Sequence, residues 1–166
     1  MKKNLVFIAL DGNEYKDILS IKYPDFAITI VSLDWNRKSI FDWNDTARKQ
    51  IRDMKVDLLI GFSIGAIVAV ILESELMVKK LELVSPSPFF REYIPKFSKT
   101  MLKVLGKKRI NDIEKISLKK IKTQSKTDVF VGSKELPIMI DIATFVSKQL
   151  NCKLNIVTEK DHRNII

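Results

Sequence analysis

Three side chains in this sequence could together carry out nucleophilic catalysis: a serine, a carboxylate and a histidine. Ser63 is the central residue of Gly61-Phe62-Ser63-Ile64-Gly65, His162 is the sole histidine, and Glu135 lies between them in sequence. A serine hydroxyl is a weak nucleophile at neutral pH, and it needs a base to accept its proton and a carboxylate to orient that base. Ser63, Glu135 and His162 are therefore our candidates for nucleophile, acid and base.

The acid and the base each have a simpler interpretation. A lone histidine near a chain end is often an exposed surface residue, and Glu135 could instead stabilise the N-terminus of the helix expected after it. Asp161, the residue next to His162, is a second candidate for orienting the imidazole. The sequence leaves the choice between Glu135 and Asp161 open.

The serine lies at the junction of a predicted strand and a predicted helix. A mostly apolar run over Asp57–Ile60 precedes it, and an apolar helical pattern from Ile64 to about Met77 follows it. A sharp turn brings the backbone close to both elements, so glycine at Gly61 and Gly65 avoids side-chain collisions. The turn would expose the hydroxyl above a sheet, and the Ile64 amide, at a helix N-terminus, would suit an oxyanion.

Short apolar segments alternate with helical patterns along the chain, which predicts a parallel sheet with helices on both faces. One helix, with Asp45 as its N-cap, is expected to run through Met54. In such sheets a site lies beyond the carboxyl ends of the strands, where Ser63, Glu135 and His162 all fall. The six predicted strands are Asn4–Leu10, Phe26–Leu33, Asp57–Ile60, Lys80–Val84, Asp128–Val131 and Lys153–Val157.

Length and composition limit the classes of protein to which this chain can belong. A chain of 166 residues that is 46% hydrophobic predicts one folded domain with a packed core. The single cysteine, Cys152, excludes an internal disulfide, and no signal-like or membrane-spanning segment is visible, so we expect a cytoplasmic protein. Neither metal-ligand spacing nor a glycine-rich phosphate loop occurs, so we expect no metal and no cofactor.

Positive charge is concentrated in one segment of the chain. The net charge is +9, and residues 91–125 hold 11 Lys/Arg against 3 Asp/Glu, whereas the rest of the chain holds 18 against 17. Two helical pieces are predicted there, one ending at Gly106 and one carrying Ile113, Ile116 and Ile121. Such a patch favours an acidic partner, which could be a protein, a phosphorylated ligand, nucleic acid or an anionic membrane. A solvated lysine-rich face is the alternative.

These motifs make the chain resemble a compact α/β-hydrolase over nearly its full length. Gly61-Phe62-Ser63-Ile64-Gly65 is similar to the nucleophile elbow of that family, and the order nucleophile, acid, histidine is the family's order. The resemblance implies Glu135 as the acid and His162 as the base. It further implies the backbone amides of Ile64 and Asn13 as the oxyanion hole, and no cofactor.

The resemblance also implies an overall architecture. This is a three-layer α/β sandwich forming a single domain over residues 1–166, with about six mostly parallel strands, helices on both faces and a small basic helical cap at about 91–125. Three features depart from the family pattern. Leu10-Asp11-Gly12 stands where His-Gly is common, the acid is Glu rather than Asp, and most of the final helix is missing. The missing helix would leave one side of the sheet bare, so we expect that a partner or a homodimer could cover it.

A finer resemblance concerns the segment after the fourth strand. Val84–Phe90 is similar to the corresponding segment of the biotin-pathway esterases that act on pimeloyl-acyl-carrier-protein methyl ester. In those enzymes a basic cap receives the acidic carrier protein, which implies acyl carrier protein as a partner and makes nucleic acid the less favoured one. An ordinary small ester is the simpler alternative. The candidate substrate- and partner-binding residues are Phe89, Phe90, Arg91, Lys96, Lys99, Lys103, Lys107, Lys108 and Arg109.

We therefore expect a serine hydrolase of the carboxylesterase or thioesterase type, which works through an acyl-enzyme. The rival hypothesis is a non-catalytic α/β-hydrolase-like module whose basic insertion binds an acidic protein or nucleic acid. Acyl transfer to an acceptor other than water would use the same residues, and the sequence leaves it open.

Overall fold

The computed structural model describes residues 2–36 and 39–166. Its centre is a six-stranded sheet in the order β2-β1-β3-β4-β5-β6, and all neighbouring strands are parallel. The α/β class and all six predicted strands are confirmed, with some strands up to two residues longer at an end than predicted. The strands are β1 (Lys3–Leu10), β2 (Phe26–Leu33), β3 (Val56–Phe62), β4 (Val78–Val84), β5 (Lys126–Gly132) and β6 (Lys153–Val157).

Helical segments connect the strands. The α-helices are α1 (Lys16–Lys22), α2 (Ile40–Ile51), α3 (Ile64–Leu72), α4 (Lys99–Lys115) and α5 (Pro137–Gln149). Short 3-10 turns occupy Gly12–Tyr15, Glu73–Glu75, Arg91–Lys96 and Leu118–Lys120. No helix in the described ranges is long and apolar enough to cross a membrane.

Alternate residues of β1 point to opposite faces of the sheet, as the pleat of a strand requires. Val6 packs in a large core with residues of α2, α3 and α5, whereas Leu5 and Phe7 pack in a smaller core on the other face. The smaller core is closed by Leu19 of α1 and by Ile165 near the chain end. Helices therefore lie on both faces, but one outer layer is thin. The homodimer expected from that thin layer stays a prediction.

Helix α2 begins earlier than predicted. The Ser39 hydroxyl accepts the Asp42 N–H at 3.3 Å, while the Asp42 carboxylate accepts the Ser39 N–H at 2.7 Å. This capping box satisfies two N–H groups at the start of the helix. The prediction of Asp45 as N-cap is wrong, because Asp45 lies inside the helix and pairs with Arg48 at 2.6 Å.

Helix α3 is shorter than predicted. It ends at Leu72, and the chain turns through Glu73–Glu75 before β4 begins. The buried carboxylate of Glu73 accepts the backbone N–H groups of Gln124 and Ser125, at 3.0 and 2.6 Å. These bonds anchor the end of α3 to the segment that enters β5. The apolar helical pattern, which continues past this point in the sequence, does not reveal a distant anchor of this kind.

Residues 91–125, called the basic segment below, pack against the larger core. Their main element is α4, which is interrupted at Gly106, where φ is 72° and ψ is 166°. This backbone region is open essentially to glycine alone. Leu105 and Ile113, on either side of the interruption, are both buried. Helix α4 thus has two arms that meet at Gly106, where the first predicted piece was expected to end. The second arm is shorter than predicted, because it ends at Lys115 and leaves Ile116 and Ile121 beyond it.

Candidate active site

Ser63 occupies a strained turn between β3 and α3. Its φ and ψ are 54° and −116°, a combination that non-glycine residues rarely adopt. A Cβ at Gly61 would lie 2.6 Å from Cα of Ala66, and one at Gly65 would lie 1.8 Å from the carbonyl oxygen of Ile8. Glycine at both positions is therefore what allows the strand, the turn and the helix to come together.

The three candidate side chains form a continuous chain of hydrogen bonds. Ser63 Oγ lies 3.1 Å from Nε2 of His162, and Nδ1 of His162 lies 3.1 Å from Oε2 of Glu135. A carboxylate can only accept, so Nδ1 donates to it, and the neutral imidazole then accepts the Ser63 hydroxyl hydrogen at Nε2. This arrangement has the connectivity that activates a serine hydroxyl as a nucleophile.

A buried serine that the sequence analysis did not single out fixes the Glu135 carboxylate. The Glu135 side chain is only 1% exposed. The hydroxyl of Ser85, itself fully buried, donates to Oε1 of Glu135, while Oε2 faces the imidazole. Ser85 adopts a φ of 44°, and its N–H donates to the carbonyl oxygen of Phe130 at 2.8 Å. Both carboxylate oxygens therefore have partners, which fixes the orientation of the group.

His162 is positioned by its loop and by an aromatic neighbour. Its imidazole stacks on the ring of Phe62, with ring centres 5.0 Å apart and planes inclined by 30°. The loop after β6 passes close to Gly132, where a Cβ would lie 2.2 Å from the carbonyl oxygen of Lys160. The N–H of Lys134 donates to the same Lys160 oxygen at 2.9 Å. Close packing of the two loops thus brings His162 to Glu135.

Asp161 also borders the site but faces elsewhere. Its Oδ1 accepts the backbone N–H of Arg163 at 2.8 Å, and its own N–H donates to the side chain of Asn164 at 2.9 Å. The Nδ1 atom of His162 is instead directed at Glu135. Of the two carboxylates that the sequence left open, the structure places Glu135 against the imidazole.

A cavity of about 660 Å³ opens beside Ser63. Its apolar wall includes Phe89, Met101 and Met139, and Ser87 and Ile64 also border it. A mostly apolar pocket next to a few convergent polar groups is typical of a small-molecule site. Of the two predicted aromatic residues, Phe89 lines the cavity, whereas Phe90 is fully buried in the larger core and is not brought to the cavity.

Among known proteins, solved structures with the same fold are similar to this chain. No family model matches the sequence, and neither does any curated protein. An Agrobacterium vitis S4 protein assigned as a hydrolase is similar, with a TM-score of 0.74 and 14% identity, covering 98% of this chain and 81% of that chain. An α/β-hydrolase enzyme from the metagenome of Mar Chica lagoon sediments has a TM-score of 0.63 and 14% identity, covering 98% of this chain and 83% of that chain.

The chain has the α/β-hydrolase fold. A third similar structure, from Silicibacter sp. TM1040, is assigned as a thioesterase; it has a TM-score of 0.74 and 17% identity, covering 98% of this chain and 70% of that chain. Within the α/β-hydrolase fold of this chain, Ser63 follows β3, Glu135 follows β5 and His162 follows β6. All three therefore lie at the carboxyl edge of the sheet, where sites of parallel sheets occur.

The two predicted oxyanion residues of this α/β-hydrolase fold lie in different places. Ile64 begins α3 and borders the cavity. The first N–H groups of a helix have no acceptor within the helix, so the Ile64 amide can face a ligand. Asn13 lines a separate depression, together with Tyr23 and Phe26. The structure thus brings Ile64 to the cavity beside Ser63, whereas Asn13, predicted to supply the second backbone amide, is not among the residues that line this cavity.

Several predicted partner-binding residues are engaged within the chain. Lys96 pairs with Asp141 at 2.6 Å, and this hydrogen bond lowers the pKa of the Asp141 carboxyl. Lys108 pairs with Asp42 at 2.8 Å. The guanidinium of Arg109 lies 3.9 Å from the ring centre of Trp35 and donates to its carbonyl oxygen. Four other predicted basic residues are exposed and form no ion pair within the described residues: Arg91, Lys99, Lys103 and Lys107.

Two further site residues escaped the sequence analysis. Ser85 contacts Glu135, and the Oγ of Ser87 lies 3.2 Å from the Oγ of Ser63. The sequence held a signal for both, since two serines separated by one proline directly follow β4 at the carboxyl edge of the sheet. Both serines lie in Val84–Phe90, the segment on which the finer family resemblance rests.

Proposed function

We propose that this protein is a serine hydrolase that cleaves a carboxylic ester or a thioester through an acyl-enzyme. The observation that carries the proposal is the hydrogen-bond chain from Ser63 through His162 to Glu135, with both links at 3.1 Å. The neighbouring apolar cavity supports an acyl group as the bound part of the substrate. Similar structures assigned as a hydrolase and a thioesterase support the same class of reaction.

In the first half of the proposed reaction, Ser63 Oγ attacks the carbonyl carbon and His162 Nε2 takes the hydroxyl proton. Negative charge develops on the carbonyl oxygen, and the Ile64 amide at the N-terminus of α3 donates to it. The carbonyl re-forms as the leaving group departs, and the leaving alcohol or thiol receives the proton from His162. The acyl group then remains as an ester on Ser63.

In the second half, His162 accepts a proton from water as the water attacks the acyl-enzyme. The tetrahedral intermediate collapses, the proton returns to Ser63, and the free acid leaves. Glu135 stabilises the imidazolium formed in each half and keeps Nδ1 as the donor. Because the Glu135 side chain is almost completely shielded from solvent, its interaction with that imidazolium is weakly screened.

The direct test compares wild type with Ser63→Ala, using p-nitrophenyl butyrate hydrolysis and covalent labelling by a fluorophosphonate. We expect the wild type to hydrolyse the ester and take up label, and Ser63→Ala to do neither. Ser20→Ala is the matched control, because the Ser20 hydroxyl only donates to the Lys16 carbonyl oxygen on an exposed face of α1. A wild type that fails both assays would instead favour the non-catalytic basic module.

The surface of the basic segment supports a finer proposal about the substrate. Met101, on the first arm of α4, lines the cavity, and Lys99 and Lys103 of the same arm are exposed. We propose that the acyl group arrives on an acidic acyl carrier protein, as in the methyl ester of pimeloyl-acyl carrier protein in biotin synthesis. Electrostatic attraction to this arm would speed the encounter and would weaken with salt.

This refinement is tested by reversing the charge of the arm. With Lys99→Glu/Lys103→Glu, we expect kcat/KM for an ester carried on acyl carrier protein to fall by about tenfold at low salt. Hydrolysis of p-nitrophenyl butyrate should be unchanged. Lys126→Glu/Lys153→Glu is the control, because these exposed lysines begin β5 and β6, at the opposite edge of the sheet. If the two double variants lowered kcat/KM for the carrier-bound ester equally, the proposal of a carrier protein on this arm would be wrong.

A further inference from the structure

A second serine hydroxyl, that of Ser87, lies beside the proposed nucleophile. Its Oγ is 3.2 Å from the Oγ of Ser63, and Ser87 borders the same cavity. Ser87 is nevertheless only 6% exposed. A buried hydroxyl that contacts the nucleophile and faces the space for substrate is placed to act on the reacting atoms, yet the reaction described above does not use it.

The backbone holds Ser87 firmly against the serine turn. The N–H of Ser87 donates to the carbonyl oxygen of Ser63 at 3.2 Å. Pro86 and Pro88 flank it, and each proline fixes its own φ, while Pro88 also restricts Ser87 to extended conformations. The hydroxyl is therefore preorganised at the nucleophile and needs little ordering when substrate binds.

We propose that Ser87 is a further catalytic residue, whose hydroxyl donates first to Ser63 Oγ and then to the oxyanion of the tetrahedral intermediate. The inference rests on the proposed hydrolase function. In the resting enzyme, the single hydroxyl hydrogen of Ser63 is directed to His162 Nε2, so Ser87 is the donor in the contact between the two serines. Because Ser63 Oγ accepts the Ser87 hydrogen, its own hydrogen stays directed at His162 Nε2, which is the orientation that the reaction needs.

The acceptor changes when Ser63 attacks. Ser63 Oγ uses a lone pair to bond the carbonyl carbon and becomes a weaker acceptor. The oxyanion is joined to that same carbon, two bonds from Oγ, and it is the stronger acceptor because it is charged. Ser87 turns its hydrogen to the oxyanion and keeps its own proton throughout, while the proton of Ser63 passes to His162 and on to the leaving group.

The number of donors at the cavity favours this role. The Ile64 amide is one donor that borders the space beside Ser63, whereas Asn13, the residue predicted to supply the second amide, is not among the residues that line that space. A hole with one donor stabilises an oxyanion less than one with two, because each preorganised donor contributes separately. Ser87 supplies a second donor from a side chain rather than from the backbone.

The experiment compares wild type, Ser87→Ala, Ser87→Thr and the surface control Ser20→Ala. For each we would measure kcat and KM for p-nitrophenyl butyrate, and Ki for a trifluoromethyl ketone, which forms a tetrahedral adduct on serine. We expect Ser87→Ala to lower kcat by about 10²-fold and to weaken ketone binding, with KM nearly unchanged. Ser87→Thr keeps the hydroxyl and should recover most of kcat, and all variants should share the melting temperature of the wild type.

Two results would overturn the inference while leaving the hydrolase proposal intact. Wild-type kcat and ketone affinity in Ser87→Ala would show that Ser87 does not donate to the oxyanion. A loss in Ser87→Ala that Ser87→Thr does not recover, accompanied by a lower melting temperature, would show that Ser87 acts through packing. The hydrolase proposal fails separately, if the wild type and Ser63→Ala prove equally inactive and unlabelled.

Discussion

The carboxylate of Glu135 lies 3.1 Å from Nδ1 of His162, and the two side chains differ sharply in exposure, at 1% and 41%. The Glu135 carboxylate is thus a buried anchor, and the more exposed imidazole extends from it toward Ser63. Ser85 holds the far oxygen of the carboxylate, and Phe62 supports one face of the imidazole. This asymmetry suits a base that must meet both a leaving group and water.

The proposed role of the Glu135 carboxylate in orienting His162 can be tested by replacing it with an amide. Glu135→Gln can donate to Nδ1, which favours the wrong tautomer of His162, so we expect kcat to fall by about 10³- to 10⁴-fold. Asp161→Asn should leave kcat within about threefold of wild type, because Asp161 faces the Arg163 N–H instead. The measurement is p-nitrophenyl butyrate kinetics. A larger loss in Asp161→Asn than in Glu135→Gln would reverse the assignment of the acid.

The serine turn should tolerate no side chain at Gly65. A Cβ there would lie 1.8 Å from the carbonyl oxygen of Ile8, and backbone atoms of the central sheet cannot yield cheaply. We expect Gly65→Ala to lower the free energy of unfolding by at least about 3 kcal/mol in urea titrations. Gly106→Ala is the comparison, since its Cβ would meet nothing within 4 Å and costs only backbone strain, about 1–3 kcal/mol. Equal stabilities for Gly65→Ala and wild type would contradict this account.

The N-terminus of α2 should make part of the stability depend on acid pH. The hydrogen bond from Lys108, followed by that from the Ser39 backbone, lowers the pKa of Asp42 from 3.8 to about 2. Because the folded pKa is the lower one, this carboxylate stabilises the fold fully above its unfolded pKa of 3.8, and the contribution is lost as pH falls toward about 2. The side chain is 39% exposed, so solvent screening keeps the effect below about 1 kcal/mol.

The check is the melting temperature of wild type and Asp42→Asn between pH 2 and pH 5. The variant should be less stable at pH 5 and should lose less stability than wild type as the pH is lowered. Asp25→Asn, at an exposed position between α1 and β2, serves as the control and should follow the wild-type curve. Parallel curves for wild type and Asp42→Asn would argue against the assigned ion pair.

The cavity wall should set the preferred acyl length. Met139 borders the cavity, so Met139→Trp fills part of the space that a long acyl chain would occupy. We expect the ratio of kcat/KM for p-nitrophenyl octanoate to that for the acetate to fall by about tenfold. Met77→Trp, at a residue that is 76% exposed just before β4, should leave the ratio unchanged. An unaltered ratio in Met139→Trp would place the acyl chain elsewhere.

The sequence by itself determined the sheet and the serine turn. Apolar runs of strand length mark the strands, most clearly β1 and β3, which are buried on both faces of the sheet, and this signal is local. The need for glycine at Gly61 is likewise local, since a Cβ there would meet Gly65, Ala66 and Ala69, whereas at Gly65 the closest atoms belong to Ile8 of the neighbouring strand. The carboxyl ends of the strands then indicate where Glu135 and His162 should meet.

Tertiary structure decided which groups meet and where helices end. Asp161 is adjacent to His162 in sequence, yet Glu135 contacts its Nδ1, because the packing of the loops after β5 and β6 at Gly132 sets the direction of the imidazole. Helix α3 ends where Glu73 bonds to a segment about 50 residues away.

The same holds for the basic segment and for the serines after β4. Lys96 and Lys108 are held by Asp141 and Asp42, which lie 45 and 66 positions away along the chain. Ser87 reaches Ser63 only because β3 and β4 are paired in the sheet. Periodicity and propensity describe neighbours along the chain, whereas side-chain hydrogen bonds between distant segments depend on how the elements pack. This is why the fold was predictable from sequence, whereas the partners of Lys96, Lys108 and Ser87 were not.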